Sequence, residues 1–208
     1  MRTKAAATLG NSGEKSAVPF LIGALVDENR HVRRAASAGL SQVWDDEAVA
    51  PLCAALSDVD WFVRWNAALA LGQIGDQRAI APLIGTLQDV NRYVRRNAAE
   101  ALGIRSKTAT GSLIKSLQDR DVDVRWNAAD ALGKLRDQDA TDPLVMALND
   151  PDEFVRERAA DALGRIGDAR AGGALQHALN DKDNDVRTTA EEALEKIKRR
   201  NRNQDGSP

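Results

Sequence analysis

Apolar residues in this chain follow one schedule that repeats. Two leucines stand four residues apart, as in Leu21/Leu25, Leu52/Leu56, Leu83/Leu87, Leu113/Leu117, Leu144/Leu148 and Leu175/Leu179. Seven residues after the second leucine comes Val-Arg, at Val32-Arg33, Val63-Arg64, Val94-Arg95, Val124-Arg125, Val155-Arg156 and Val186-Arg187. Another leucine follows each Arg by seven residues: Leu40, Leu71, Leu102, Leu132, Leu163 and Leu194. The steps between copies are 31, 31, 30, 31 and 31 residues. Arg2 and Leu9 fit one period earlier, so Met1–Gly10 reads as a truncated further copy. A fixed period of this length marks a tandem array.

Each copy predicts two helices. Pro51, Pro82 and Pro143 stand near the start of the first, where a missing N–H costs least. Asn29, Asp60, Asn91, Asp121, Asp152 and Asp183 are placed to cap the second. With Val63 at zero and about 100° per residue, Ala67, Ala70, Leu71 and Ile74 share its side, a buried stripe whose alanines admit close helix approach. Gly75 and Gly167 are suited to end second helices. The short step predicts an irregular turn at Gly103–Lys107. One such pair cannot bury its stripe alone, whereas stacked pairs share a continuous core. The expected fold is therefore all-α: an α-solenoid of six helical pairs after one orphan N-terminal helix. Its repeats fall at about 1–12, 13–43, 44–74, 75–104, 105–135, 136–166 and 167–198, one domain followed by a disordered polar tail at 199–208.

Composition narrows the chemistry. Aromatics are only 4% of the 208 residues, low for a sandwich or barrel. The single cysteine, Cys53, excludes a disulfide framework, and its register with Ile22, Ile84, Ile114 and Val145 predicts a buried small hydrophobe. The two histidines, His31 and His177, have no companion ligands in register, so no metal site, cofactor or catalytic group is expected. No apolar run matches a membrane span and no signal peptide opens the chain, which predicts a soluble, cytoplasmic protein. A formal net charge of −2 argues against a surface devoted to nucleic acid. The basic run after Lys196 reads as a solvated helix end.

The unit DxRAxxPLxxxLxDxxxxVRxxAAxALGxIG resembles the HEAT-like repeat of the phycobilisome-lyase (E–Z) type, over residues 1–198. The resemblance implies a right-handed α-solenoid whose second helices line the concave face. It also implies two functional classes, a binding scaffold or a bilin lyase subunit or bilin-handling chaperone. The iron-dependent hydroxylase of that superfamily carries repeated His-Glu dipeptides, and this chain has none. The same short unit underlies artificial consensus arrays.

Residues identical in every repeat serve the repeat. The six Arg of Val-Arg and Asp27, Asp58, Asp89, Asp119, Asp150 and Asp181 are expected to form a ladder tying each turn to its neighbour. Function is expected where repeats differ, opposite the buried stripe. There Trp61, Trp65 and Leu69 fall at about 160°, 200° and 240°. Arg30/Arg34 and Arg92/Arg96 flank them, Phe62 and Tyr93 stand at the edge, and Trp126 lies two second helices away. Trp, Tyr and Arg are the residue types that dominate interface hot spots. The corresponding positions further along (Asp130, Glu153, Glu157, Asp161 and Glu192) are acidic. The expected partner is a protein or peptide on the concave face, with no nucleic acid and no membrane. The chain itself is expected as a monomer, or as a dimer through its unpaired first helix. Asn66, Asn97 and Asn127 recur beside the aromatic stripe and read as an inter-helix amide ladder, or as donors to a bound peptide.

Overall fold

A computed structural model of the chain describes residues 1–103 and 107–205. Every regular element among them is helical. The second-helix series is α1 (Arg2–Ser12), α3 (Arg30–Val43), α5 (Trp61–Ile74), α7 (Arg92–Leu102), α9 (Val122–Leu135), α11 (Glu153–Ile166) and α13 (Asn184–Asp205). The first-helix series is α2 (Val18–Ala24), α4 (Val49–Ala55), α6 (Ile80–Thr86), α8 (Thr110–Ser116), α10 (Thr141–Ala147) and α12 (Gly172–Ala178). Each of these six follows a single 3₁₀ turn, which the sequence reading did not separate from the helix. Asp45, Asp76, Asp137 and Asp168 cap four of those turns by accepting the N–H two residues on.

The architecture is an α-solenoid, in two compact units, Met1–Leu102 and Gly103–Pro208. The division falls beside the one short repeat. Of the irregular turn predicted there, residues 104–106 lie outside the described residues. Inside unit 1, α3 packs between α1 and α5, and α5 against α7. Inside unit 2, α11 packs between α9 and α13. Each first helix packs on the second helix that follows it.

The predicted stripe forms the core. Val63, Ala67, Ala70 and Leu71 are buried, as are Val124, Ala128, Ala131 and Leu132, whereas Ile74, expected on the same stripe, is half-buried. Fully burying a leucine stabilises by about 2 kcal/mol, so the repeated leucines carry much of the fold. Small residues set the helix spacing. A Cβ added to Gly39 would stand 2.6 Å from the Gly10 Cα, and one added to Gly72 would stand 2.7 Å from the Ala101 Cβ. The Gly10–Gly39 contact docks α1 on α3, and Arg2 reaches Asp27 at 3.0 Å.

The caps follow the sequence: Asn29, Asp60, Asn91, Asp121, Asp152 and Asp183 each accept the backbone N–H two residues on. Gly75 and Gly167 close α5 and α11 in the left-handed region, at φ 70° and 73°. Trp44 and Arg136 take the same conformation without being glycine, at φ 45° and 52°. Helix α13 runs to Asp205, well past the expected tail boundary at Arg199, because no glycine or proline interrupts the chain before Gly206.

The Arg–Asp ladder is present. Arg64 donates from Nε and Nη2 to the two Asp89 carboxylate oxygens at 2.6 and 2.9 Å, while Nη1 donates to the Asp58 carbonyl at 2.7 Å. Arg33 with Asp58, Arg125 with Asp150 and Arg156 with Asp181 repeat the fork. Arg187 instead donates to the Asp181 carbonyl and to Asn184 Oδ1, with no carboxylate of the described residues in its fork. Unit 2 adds a polar link between first helices, Thr110 to Asp137 and Thr141 to Asp168, where unit 1 has Val18, Val49 and Ile80 in register. Removing one partner of a desolvated pair strands the other. Arg64→Ala is therefore expected to lower unfolding stability by roughly 3 kcal/mol, and Arg187→Ala by about 1 kcal/mol. Urea denaturation followed by helical circular dichroism measures both.

Candidate functional site

Helix α5 begins at Trp61 because Asp60 caps it, accepting the Phe62 N–H at 2.9 Å. Asp60 is also gripped from the neighbouring helix, where Arg34 Nε donates to its Oδ2 at 2.8 Å. Arg34 therefore has a structural task, and its guanidinium also lies 5.4 Å from the Phe62 ring centroid. Burial alone would push the Asp60 carboxyl up. The Arg34 hydrogen bond, the Phe62 N–H and the charges of Arg34 and Arg30 outweigh burial and hold it below the ordinary carboxylate range.

Four rings form a connected row. Tyr93 on α7 stands 6.0 Å from Trp61 between centroids, Trp61 meets Phe62 edge-on at 5.7 Å, and Phe62 lies 5.5 Å from Trp65. Phe62, expected at the edge, is thus the link between the two tryptophans. Trp61 is 39% exposed and Tyr93 40%, whereas Trp65 and Leu69 are half-buried. Arg92 sits over the Tyr93 ring at 4.8 Å and donates to its hydroxyl at 2.9 Å. Arg30 is exposed, and Arg96 is half-buried. All eight of these expected site residues lie in unit 1. Trp126 lies in unit 2, where its indole N–H donates to Asp123 at 3.3 Å and Arg158 stands 5.9 Å from its ring.

Two of the acidic positions of unit 2, Asp130 and Asp161, are neutralised within the unit. Asp130 pairs with Lys134 at 2.8 Å and Arg165 at 3.3 Å, and Asp161 with Arg165 at 2.7 Å and Lys196 at 3.2 Å. Unit 1 has Ala38, Leu69 and Glu100 where Asp130 and Asp161 stand, so its α3 and α5 positions keep apolar surface.

The asparagines do not form the expected ladder. Asn66 and Asn127 turn back on their own helices, donating to the Phe62 carbonyl at 2.9 Å and the Asp123 carbonyl at 2.6 Å. Asn97 alone of the three crosses, reaching the Trp65 carbonyl at 3.4 Å. Cys53 is half-buried where full burial was expected, because its side of α4 is incompletely covered. Burial raises its thiol, with Arg78 opposing and Asp76 adding, so little thiolate is available for nucleophilic work. His31 and His177 are both exposed, and the described residues contain no group of three metal-ligating side chains.

Sequence reasoning missed two features. A groove of about 500 Å³ opens between α1 and α3, lined by Ala7, Gly10, Asn11, Ala35, Ala38 and Gln42 among others. Ala7/Ala38 and Asn11/Gln42 are one period apart, the only signal that could have announced it. Trp44, 60% exposed, bonds through its indole N–H to the Ser41 carbonyl and Gln73 Oε1.

The HEAT repeats family model matches residues 1–64, 38–103 and 110–195. The chain is a HEAT-repeat protein. A search of curated proteins finds no sequence relative of it. Among solved structures, a designed armadillo repeat protein in complex with the peptide (KR)4 superposes on this HEAT-repeat protein with a TM-score of 0.70 at 20% identity, over 86% of this chain and 99% of that one. That likeness is one of fold. The complex of CpcE and CpcF of phycocyanin lyase from Nostoc sp. PCC7120 gives 0.59 at 25% identity, covering 94% and 88%. Human deoxyhypusine hydroxylase gives 0.53 at 25% identity, covering 95% and 79%.

Acid should unlatch these carboxylates. The Arg170 hydrogen bond holds Asp168 low and the Arg156 hydrogen bond holds Asp181 low, as Arg34 does for Asp60. Each stays ionised in the fold while the unfolded chain takes up protons near pH ~4. Their contribution is complete above that pH and drains away as pH falls through the lower folded values. The thermal midpoint is expected to be flat between about pH 5 and 8 and to fall below about pH 4. Asp60→Asn should lower the neutral-pH midpoint and shrink the acid drop.

Proposed function

We propose that this HEAT-repeat protein is a non-enzymatic scaffold that holds a protein or peptide on the face its second helices present, the concave face of the solenoid. The site is the ring row of unit 1, with Trp61, Trp65, Leu69 and Tyr93 as apolar contacts and Arg30, Arg34, Arg92 and Arg96 around them. Trp126 contributes a separate contact in unit 2. One observation carries the reading: Trp61 and Tyr93 remain about two-fifths exposed although they pack on each other and on Phe62. Their packing fixes the rings before a partner arrives, which lowers the ordering cost of binding. The designed armadillo repeat proteins of like fold, one set designed for modular peptide recognition, support a peptide as the guest. No helix among the described residues is long and apolar enough to cross a membrane. The proposed setting is the cytoplasm, with the chain a monomer or a dimer through α1.

A second reading draws on the likeness to the CpcE and CpcF complex. The rings would stack on an open-chain tetrapyrrole and the arginines would take its propionates, making the chain a lyase subunit or a bilin-handling chaperone.

Affinity capture separates the two readings. Partners held by the wild-type chain should be lost from Trp61→Ala/Trp65→Ala, with retention falling about tenfold or more, the scale of a hot-spot loss. Equal retention by both chains would move the site elsewhere. Added bilin is expected to leave its visible spectrum unchanged; a shift that the double substitution removes would favour the second reading.

A further inference from the structure

The open face of unit 1 has more chemistry than its rings. Residues 1–102 contain eleven Lys or Arg and eleven Asp or Glu, so the unit as a whole is neutral. The charges are nevertheless segregated. On the face opposite the core, the stripe positions of α3, α5 and α7 hold Arg30, Arg34, Arg92 and Arg96 against one carboxylate, Glu100. Asp60, at the cap of α5, answers Arg34. Arg30 makes no hydrogen bond or ion pair with the described residues, and its charge is felt at Asp60 without closing on it. A positive face on a neutral body selects guests of the opposite sign and speeds their encounter.

The groove between α1 and α3 lies on the same stripe. Ala38 follows Arg30 by eight residues on α3, about 12 Å down the helix. An extended peptide covers that distance in roughly four residues. A recess of about 500 Å³ floored by Gly10 and Ala35 has room for one large apolar side chain, with the Asn11 and Gln42 amides exposed at its rim. Next to it on the other side of Arg30 runs the ring row, beginning at Trp61.

We propose that this face takes an extended acidic peptide with an apolar anchor about four residues from a carboxylate, the carboxylate meeting Arg30 and the anchor entering the α1–α3 groove. The proposal rests on the scaffold reading above and names the chemistry of its guest. Arg30 supplies the charge that selects the segment, and the rings flank its backbone.

Three labelled peptides test it by fluorescence anisotropy against the full chain at low ionic strength: EESGGFS, KKSGGFS and EESGGGS. EESGGFS should bind at least about tenfold more tightly than either of the others, and added salt should erode that margin. Arg30→Glu should weaken EESGGFS and strengthen KKSGGFS. Ala38→Leu fills the recess with the side chain that Leu69 already places one repeat on, so the fold tolerates it. It should weaken EESGGFS to the level of EESGGGS while circular dichroism and melting stay as in the wild type. Failure of EESGGFS to bind at about 1 mM overturns the proposal. So does equal binding of the acidic and basic peptides, or indifference to both Arg30→Glu and Ala38→Leu. If those indifferent peptides are still lost in Trp61→Ala/Trp65→Ala, the scaffold site survives and only its acidic, anchored guest falls.

Discussion

In Arg33, Arg64, Arg125 and Arg156 the guanidinium faces two ways, and the fold depends on both. Through Nη1 it satisfies a carbonyl in the turn of its own repeat, and through Nε and Nη2 it forks onto the aspartate of the next, as Arg33 does with Asp27 and Asp58. The aspartate is equally committed. Asp58 Oδ1 also accepts the Asp60 N–H at 2.8 Å, so one carboxylate shapes a turn and joins two repeats. The Arg33 and Asp58 side chains are only 12% and 11% exposed. Ions so far from water are tolerable only when their hydrogen bonds are nearly complete, which leaves these positions no freedom to vary.

Variation is therefore pushed to the side chains that point away from the core. There α5 presents rings, α3 and α7 present arginines, and unit 2 presents carboxylates, of which Asp130 and Asp161 are answered by lysine and arginine. The site is not independent of the frame, however. Asp60 caps the helix that bears the tryptophans, and Arg34 of the preceding repeat secures Asp60 and covers Phe62. The orientation of the ring row is fixed by the same kind of charge-assisted bond that holds the stack.

Much of this was legible in the sequence because stacking asks for the same residue types at each step. The period, the caps and the Arg–Asp forks could all be read from spacing. Features made by relations between side chains were harder to see. Phe62 sits between the buried stripe and the open face, and spacing alone does not show that its ring will bridge Trp61 and Trp65. The α1–α3 groove arises from what Ala7 and Ala38 lack, and a missing side chain leaves no motif. Asn66 and Asn127 recur in register, but their amides find a carbonyl one turn back sooner than a neighbouring helix. Trp44 adopts a conformation usually left to glycine, and its indole bonds to Ser41 and Gln73 across a distance that the linear pattern does not encode.

The forks in unit 1 and in unit 2 span twenty-five residues each, so every one joins a repeat only to its immediate successor. No rung depends on how many others exist. Gene duplication or loss of one whole period would therefore lengthen or shorten such a stack without retuning the survivors, and the reach of the molecule could evolve separately from what it grips.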